Sequence, residues 1–313
     1  MKKLCGLALF LLLLYLLLLA SDPGARSAYN HFNLGKRIGL YGVISLGAGC
    51  LIITGGIDLS IGSVVGLCST VMAMLLIKQQ WHPIAAVAAV LGLGAAIGLA
   101  HGLLVTRLKV QAFVVTLCGL FIYRGIARWL SGDKVQGLAN EVPELKYWLY
   151  KKVVLGLPMS LVIFLILAAI ATVFLHFSVY GRYFSAIGSN EQAARYAGIA
   201  TDRYKVLAYV ICSTLAAFFS IVFLMEQNSA QPSSTGNFFE LYAIAGAVLG
   251  GCSLRGGEGT VLGIMIGTAI LWILPNFTNM WGVSSQLEYT VIGSALLVGA
   301  LLDEFLRRRG GSK

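Results

Sequence analysis

The residue of this chain most able to do chemistry, and the one placed at the greatest cost, is Asp58. It lies in LIITGGIDLSIGS, residues 51–63, between two apolar stretches long enough to be membrane helices. A carboxylate among such residues costs about 2.5–3.5 kcal/mol on insertion, so it is retained where water, protein or a solute can meet it. Gly55 and Gly56 free the backbone to bend ahead of it, and Ser60 is able to cap the helix that follows. Two roles for Asp58 stay open: a cap or an ion-pair partner at the membrane edge, and a direct part in a transport path or gate.

A second group stands in CSLRGGEG, residues 252–259, where Arg255 and Glu258 lie beside three glycines. A solvated pair in a turn contributes under about 1 kcal/mol, whereas a turn so rich in glycine can move and act as a gate. Glu226, Glu240 and Glu288, near Asn228, Gln231 and Asn237, fall at the expected outer ends of helices. They read singly as interfacial polarity, and together as the rim of a wet vestibule for a neutral polar ligand.

The elements that must position these groups follow from composition. Of the 313 residues, 58% are hydrophobic and 12% charged, where soluble domains carry about a quarter charged. A membrane helix needs about 20 apolar residues. That ruler gives ten expected spans, at 4–20, 37–54, 60–77, 84–105, 112–130, 153–175, 206–226, 238–254, 259–275 and 287–306. The expected fold is therefore all-α: a single polytopic membrane domain over 1–313 with several short or glycine-broken helices and both termini on one side. Lys2, Lys3 and Arg307 to Arg309 suit the cytoplasm, and that orientation puts 13 of the 23 lysines and arginines inside. The basic start and apolar run of 1–21 fit a signal peptide or a first helix. The 17-residue run exceeds the roughly 7–15 residues of a signal core, which favours a retained helix.

The polar stretches are two. Residues 131–152 are expected outside, with PELKYWLY as a short interfacial helix. Residues 176–205 are expected inside, where Asn190 or Ser189 can cap a helix of about two turns that starts near Glu191 and ends at Gly198. Glycines four residues apart, at 94, 98 and 102, at 246 and 250, and at 263 and 267, let membrane helices approach closely. A weak internal echo links LIITGGIDLSIGSVVG with GAVLGGCSLRGGEGTVLG, as transporter repeats with broken helices do.

Several classes are excluded. The net charge of +10 is scattered at helix ends, which fits anchoring in a lipid bilayer and not a nucleic-acid partner. The six cysteines and four histidines show no metal-ligand spacing. No phosphate loop, HExxH or GxSxG occurs, so the chain is not expected to be an enzyme, to hold a cofactor or to hydrolyse ATP itself.

Four blocks carry a resemblance. IITGGIDLSIGSV, FVVTLCGLFIYRGIA, GRYFSAIGSNEQAARYAGI with TDRYKVLAYV, and ELYAIAGAVLGGCSLRGGEGTVLGIMIGT together resemble the ribose/galactose/xylose-type permeases of bacterial ABC importers, in family order from about 34 to 309. The resemblance implies a permease of the bacterial inner membrane that forms a dimer, with itself or a sister subunit. It implies an ATP-binding cassette partner inside, which would bind the ATP, and a periplasmic or extracellular solute-binding protein that delivers a monosaccharide or polyol-like solute. It also implies that Gly188, Asn190, Glu191, Ala194, Arg195 and Gly198 couple to the ATPase. Gln111 stands where the family usually has proline, Cys118 and Cys252 replace common small residues, and 231–240 is looser than usual, which leaves the solute open. Gly55, Gly56, Asp58, Ser60, Arg255 and Glu258 are then expected at the translocation path or inner gate. The alternative is an ion-coupled secondary transporter in which Asp58 binds a proton or sodium ion.

Overall fold

The computed structural model describes residues 2–138, 141–284, 287, 289–294 and 297. In chain order its helices are α1 (Lys2–Ser21), α2 (Ala28–Ile53), α3 (Ile61–Ile77), α4 (Pro83–Thr106), α5 (Ala112–Ser131), α6 (Pro143–Lys146), α7 (Met159–Thr172), α8 (Val179–Ser189), α9 (Glu191–Tyr196), α10 (Thr201–Gln227), α11 (Phe239–Leu249) and α12 (Val261–Met280). The only strand pairs among the described residues are two residues long, Gln136–Gly137 with Ser229–Ala230 and Val153–Val154 with Leu157–Pro158.

Among the described residues, seven helices are long and apolar enough to cross a membrane: α1, α2, α4, α5, α7 with its continuation to Phe177, α10 and α12. The other expected spans differ. α3, with 17 residues, reaches about 26 Å at 1.5 Å per residue. The span expected at 238–254 is corrected: α11 holds 11 residues, about 17 Å, too short to cross alone. The reason is local backbone. Gly236 and Phe238 take positive φ before it, and Gly251 takes φ +88 just after it. The span at 287–306 falls mostly outside the described residues, as do Glu288 and residues 307–309.

α2 is the hub, and glycines let its neighbours reach it. Gly39 lies against the Ser160–Leu161 backbone of α7, Gly47 against Cys212 of α10, and Gly49 against Ile264 of α12. The stripe expected on α4 closes onto α10, with Gly94, Gly98 and Gly102 against Ser213, Tyr209 and Val206. Gly250 meets Gly263, and Gly246 meets Gly267, between α11 and α12. Such backbone approach is how helices pack where lipid removes the hydrophobic drive. α1 leans on α12; its buried side chains are Leu14 and Leu18, and Leu9, Phe10, Leu13 and Leu17 face outward, as a lipid-facing helix must.

About 18 Å along α2 from its broken end, by helical rise, Tyr41 anchors an aromatic cluster. Its ring lies 4.3 Å from Trp272 and 5.3 Å from Phe239. Phe239 of this cluster is followed by Glu240, whose carboxylate accepts the Gly62 amide, so the packed rings lie beside the start of α3, just after Asp58.

Candidate functional site

α2 stops where its geometry allows it to stop. Thr54 turns its hydroxyl onto the Leu51 carbonyl (2.7 Å), Gly55 takes φ +79, and the Gly56 amide returns to the same carbonyl (3.1 Å). That is the left-handed helix ending for which glycine is suited. The chain then doubles back, and Asp58 arrives 2% exposed before α3 begins. One carboxylate oxygen, Oδ1, accepts both the Ser60 amide (2.8 Å) and the Ser60 hydroxyl (2.6 Å). The expectation that Ser60 caps α3 is corrected: its side chain makes no cap bond, because its hydroxyl donates to Asp58. The carboxylate itself organises this helix start.

The other oxygen, Oδ2, has no hydrogen-bond donor among the described residues and faces His101 Nδ1 at 3.8 Å; that nitrogen has no partner among them either. Unsatisfied buried groups of this kind cost about 1–3 kcal/mol each, more when charged. His101 sits on α4, 1% exposed, and its Nε2 lies 2.8 Å from the Tyr123 hydroxyl on α5. Tyr209 on α10 donates its hydroxyl to the Ile57 carbonyl (3.3 Å). Three helices thus converge on residues 57–60. His101 escaped the sequence reading, although it is an ionisable residue inside an apolar stretch, the same kind of feature that exposed Asp58; it lay hidden in the glycine stripe of α4.

The second glycine break lies beside the first. The Gly257 amide donates to the Ile53 carbonyl at the end of α2 (2.9 Å), and Gly256, at φ +87, rests on Gly55 and Gly188. The turn is closed by backbone bonds, Gly256 to the Ser253 carbonyl (2.8 Å) and Ser253 to the Glu258 carbonyl (3.0 Å). Arg255 and Glu258 are exposed side chains. The two echoed segments are therefore spatial neighbours.

α9 forms as its sequence predicts. Asn190 Oδ1 accepts the Ala193 amide (2.9 Å), and Gly198 ends the turn at φ +84. Glu191 holds Lys205 Nζ at 2.8 Å and Arg195 at 3.4 Å, while Arg195 also reaches Asp202 at 2.8 Å. Asn190, Arg195 and Gly198 are exposed, but two of the expected coupling residues point inward. Ala194 is 5% exposed. Gly188 lies so close to the Ile53 carbonyl and the Gly257 amide that a methyl there would overlap both. α8, which carries Gly188, was not anticipated; Ser178 caps it by accepting the Tyr180 amide (3.1 Å).

Glu240 is not at a wet rim. It is 9% exposed in the first turn of α11 and accepts the Gly62 amide of α3. Nearby Arg124 donates to the carbonyls of Thr235 (2.6 Å) and Pro232 (3.1 Å). Asn228 receives Lys146 Nζ at 3.0 Å.

Residues 31–301 match the family described as branched-chain amino acid transport system / permease component. The ribose import permease protein RbsC of Escherichia coli (strain K12) is 36% identical over 94% of this chain and 91% of its own length. The protein of the same name from Bacillus subtilis (strain 168) is 34% identical over 95% and 91%. The autoinducer 2 import system permease protein LsrC of Enterobacter sp. (strain 638) is 36% identical over 85% and 76%. No solved structure matches the chain.

Proposed function

We propose, on the premise that this chain belongs to the branched-chain amino acid transport system / permease component family, that it is the membrane-spanning permease subunit of an ABC importer. Its cargo is a monosaccharide or a similar polyol-like solute, the class to which ribose, named in its relatives, belongs. It works in the bacterial inner membrane as a single polytopic domain over 1–313 with both termini in the cytoplasm. A separate ATP-binding cassette subunit binds the ATP, a solute-binding protein delivers cargo on the outer side near 131–152, and a second copy or sister subunit completes the path. The chain has no ATPase site or cofactor of its own.

One observation carries this reading: Gly188, at the root of the exposed α8–α9 segment, lies against both Ile53 and Gly257. A partner gripping the 176–205 segment through Asn190, Glu191, Arg195 and Gly198 would move that root, with Ala194 and Gly188 as the inward link. The root in turn would shift both glycine breaks, which meet through Gly55 and Gly256, and with them an inner gate to which Gly55, Gly56, Asp58 and Ser60 of one break and Arg255 and Glu258 of the other belong. An ion-coupled secondary transporter using Asp58 has no support among relatives named as import permeases, and Ser60 already occupies one of its oxygens.

The test is reconstitution in proteoliposomes with the ATPase and solute-binding protein, using labelled ribose as probe. ATP-dependent accumulation that needs all three components is expected. Uptake by the permease alone, driven by a proton or sodium gradient, would overturn the reading.

A further inference from the structure

Two buried side-chain atoms at this site have no hydrogen-bond partner among the described residues, and they face each other: Asp58 Oδ2 and His101 Nδ1, at 3.8 Å. The chemistry of the flanking groups settles which way these atoms want protons. A carboxylate only accepts. His101 Nε2 is engaged by the Tyr123 hydroxyl at 2.8 Å. When that hydroxyl donates, the ring proton sits on Nδ1 and points at Asp58; when it accepts, two lone pairs confront each other in a dry site. The partner of one ring nitrogen fixes the tautomer at the other, and here the carboxylate favours the arrangement in which every donor points toward Asp58: Ser60 from its own turn, and His101 from α4 with Tyr123 behind it.

The surroundings favour a held position. Gly98, one turn before His101, brings α4 against the Tyr209 carbonyl, so His101 and Tyr209 reach residues 57–60 from neighbouring helices. The His101 ring is flanked by Tyr123 and Tyr209, with centroids at 5.5 and 6.2 Å. Among these contacts the 3.8 Å gap is the only link longer than a hydrogen bond, and a slight tilt of the imidazole decides whether it closes.

We propose that His101 is a positioning residue of the inner gate: anchored by Tyr123, its Nδ1–H holds the second oxygen of Asp58 and keeps the 54–60 break shut, and loss of that contact is the release step. This rests on the reading of the break as a gate. A residue that merely fills space between α4, α5 and α10 is the competing role, and the two demand different substitutes. Phenylalanine keeps the ring and removes the donor; asparagine places an amide N–H near the position of Nδ1 and loses the ring.

Thr54, 3% exposed at the break, provides the reporter. Thr54→Cys is introduced with the exposed Cys5 and Cys118 changed to alanine. The permease–ATPase complex in inside-out vesicles is then labelled with a membrane-impermeant maleimide, without nucleotide. His101→Phe and Asp58→Asn are expected to speed labelling about tenfold, the usual size of one coupling contact, and His101→Asn to return it to within about threefold of the parent. If His101→Phe labels at the parent rate while Asp58→Asn is fast, the proposal falls and the gate stands. If neither changes the rate, the gate falls and the proposal with it. If His101→Asn is as fast as His101→Phe, the held-donor role falls. Should His101→Phe fail to insert, Tyr123→Phe, which removes only the anchoring oxygen, decides: a parent rate overturns the proposal.

Discussion

Replacing Asp58 by alanine strands two donors at once, the Ser60 amide and the Ser60 hydroxyl, and takes away the carboxylate that the ring nitrogen of His101 faces at 3.8 Å. Each buried group left unpaired costs about 1–3 kcal/mol, so Asp58→Ala is expected to lower the thermal inactivation midpoint in detergent clearly. Asp58→Asn keeps an acceptor for Ser60 and is expected to lose less than half as much. Equal midpoints for the two variants would show that Ser60 does not depend on this oxygen. The contrast between Asp58 and His101 also shows where single residues are readable. Asp58 stands out because a charge flanked by glycines interrupts an apolar run, and its importance is local. His101 gains its meaning from Asp58, 43 positions earlier in the numbering, and from Tyr123, 22 positions later; those meetings are made by helix packing and leave no trace in the spacing.

Among the elements, the α8–α9 segment matters most, because Gly188 joins a surface helix to two backbone breaks. Any side chain at 188 must push against the Ile53 carbonyl and the Gly257 amide, so Gly188→Val is expected to separate the bond between the breaks. The ATPase should still co-purify and hydrolyse ATP, since the exposed face of α9 is untouched, while solute uptake falls about tenfold or more, as for loss of a coupling element. Normal uptake by a well-inserted Gly188→Val permease would remove Gly188 from the linkage. α9 itself was legible, since Asn190, Glu191 and Gly198 are a cap, a first-turn acid and a terminator. The inward turn of Ala194 and Gly188 was not, because a short polar segment does not declare which face it buries. α11 was overextended for a related reason: hydropathy counts apolar residues, whereas Gly251, at φ +88, stops the helix through its backbone angle.

For the whole molecule, the proposed orientation sets the faces of two exposed groups that lie far apart in the chain. Arg195→Cys is expected to react with a membrane-impermeant maleimide only in inside-out vesicles, and Lys151→Cys only in right-side-out ones. Reaction of both from the same face would overturn the crossing pattern. The long apolar runs made the membrane bundle and seven of its helices readable, and glycines at four-residue spacing foretold close pairs. Which helix each stripe would meet was settled only by packing: α4 meets α10 with backbone against backbone along Gly94, Gly98 and Gly102. That contact has a consequence for leakage. With only small side chains such as Ala217 between their backbones at these glycines, α4 and α10 have little slack in which to drift apart, so His101 on one and Tyr209 on the other are expected to move together relative to residues 57–60. In the proposed gate, a seam this tight favours shut or open over anything between, and so limits the back-leak of small solutes between strokes.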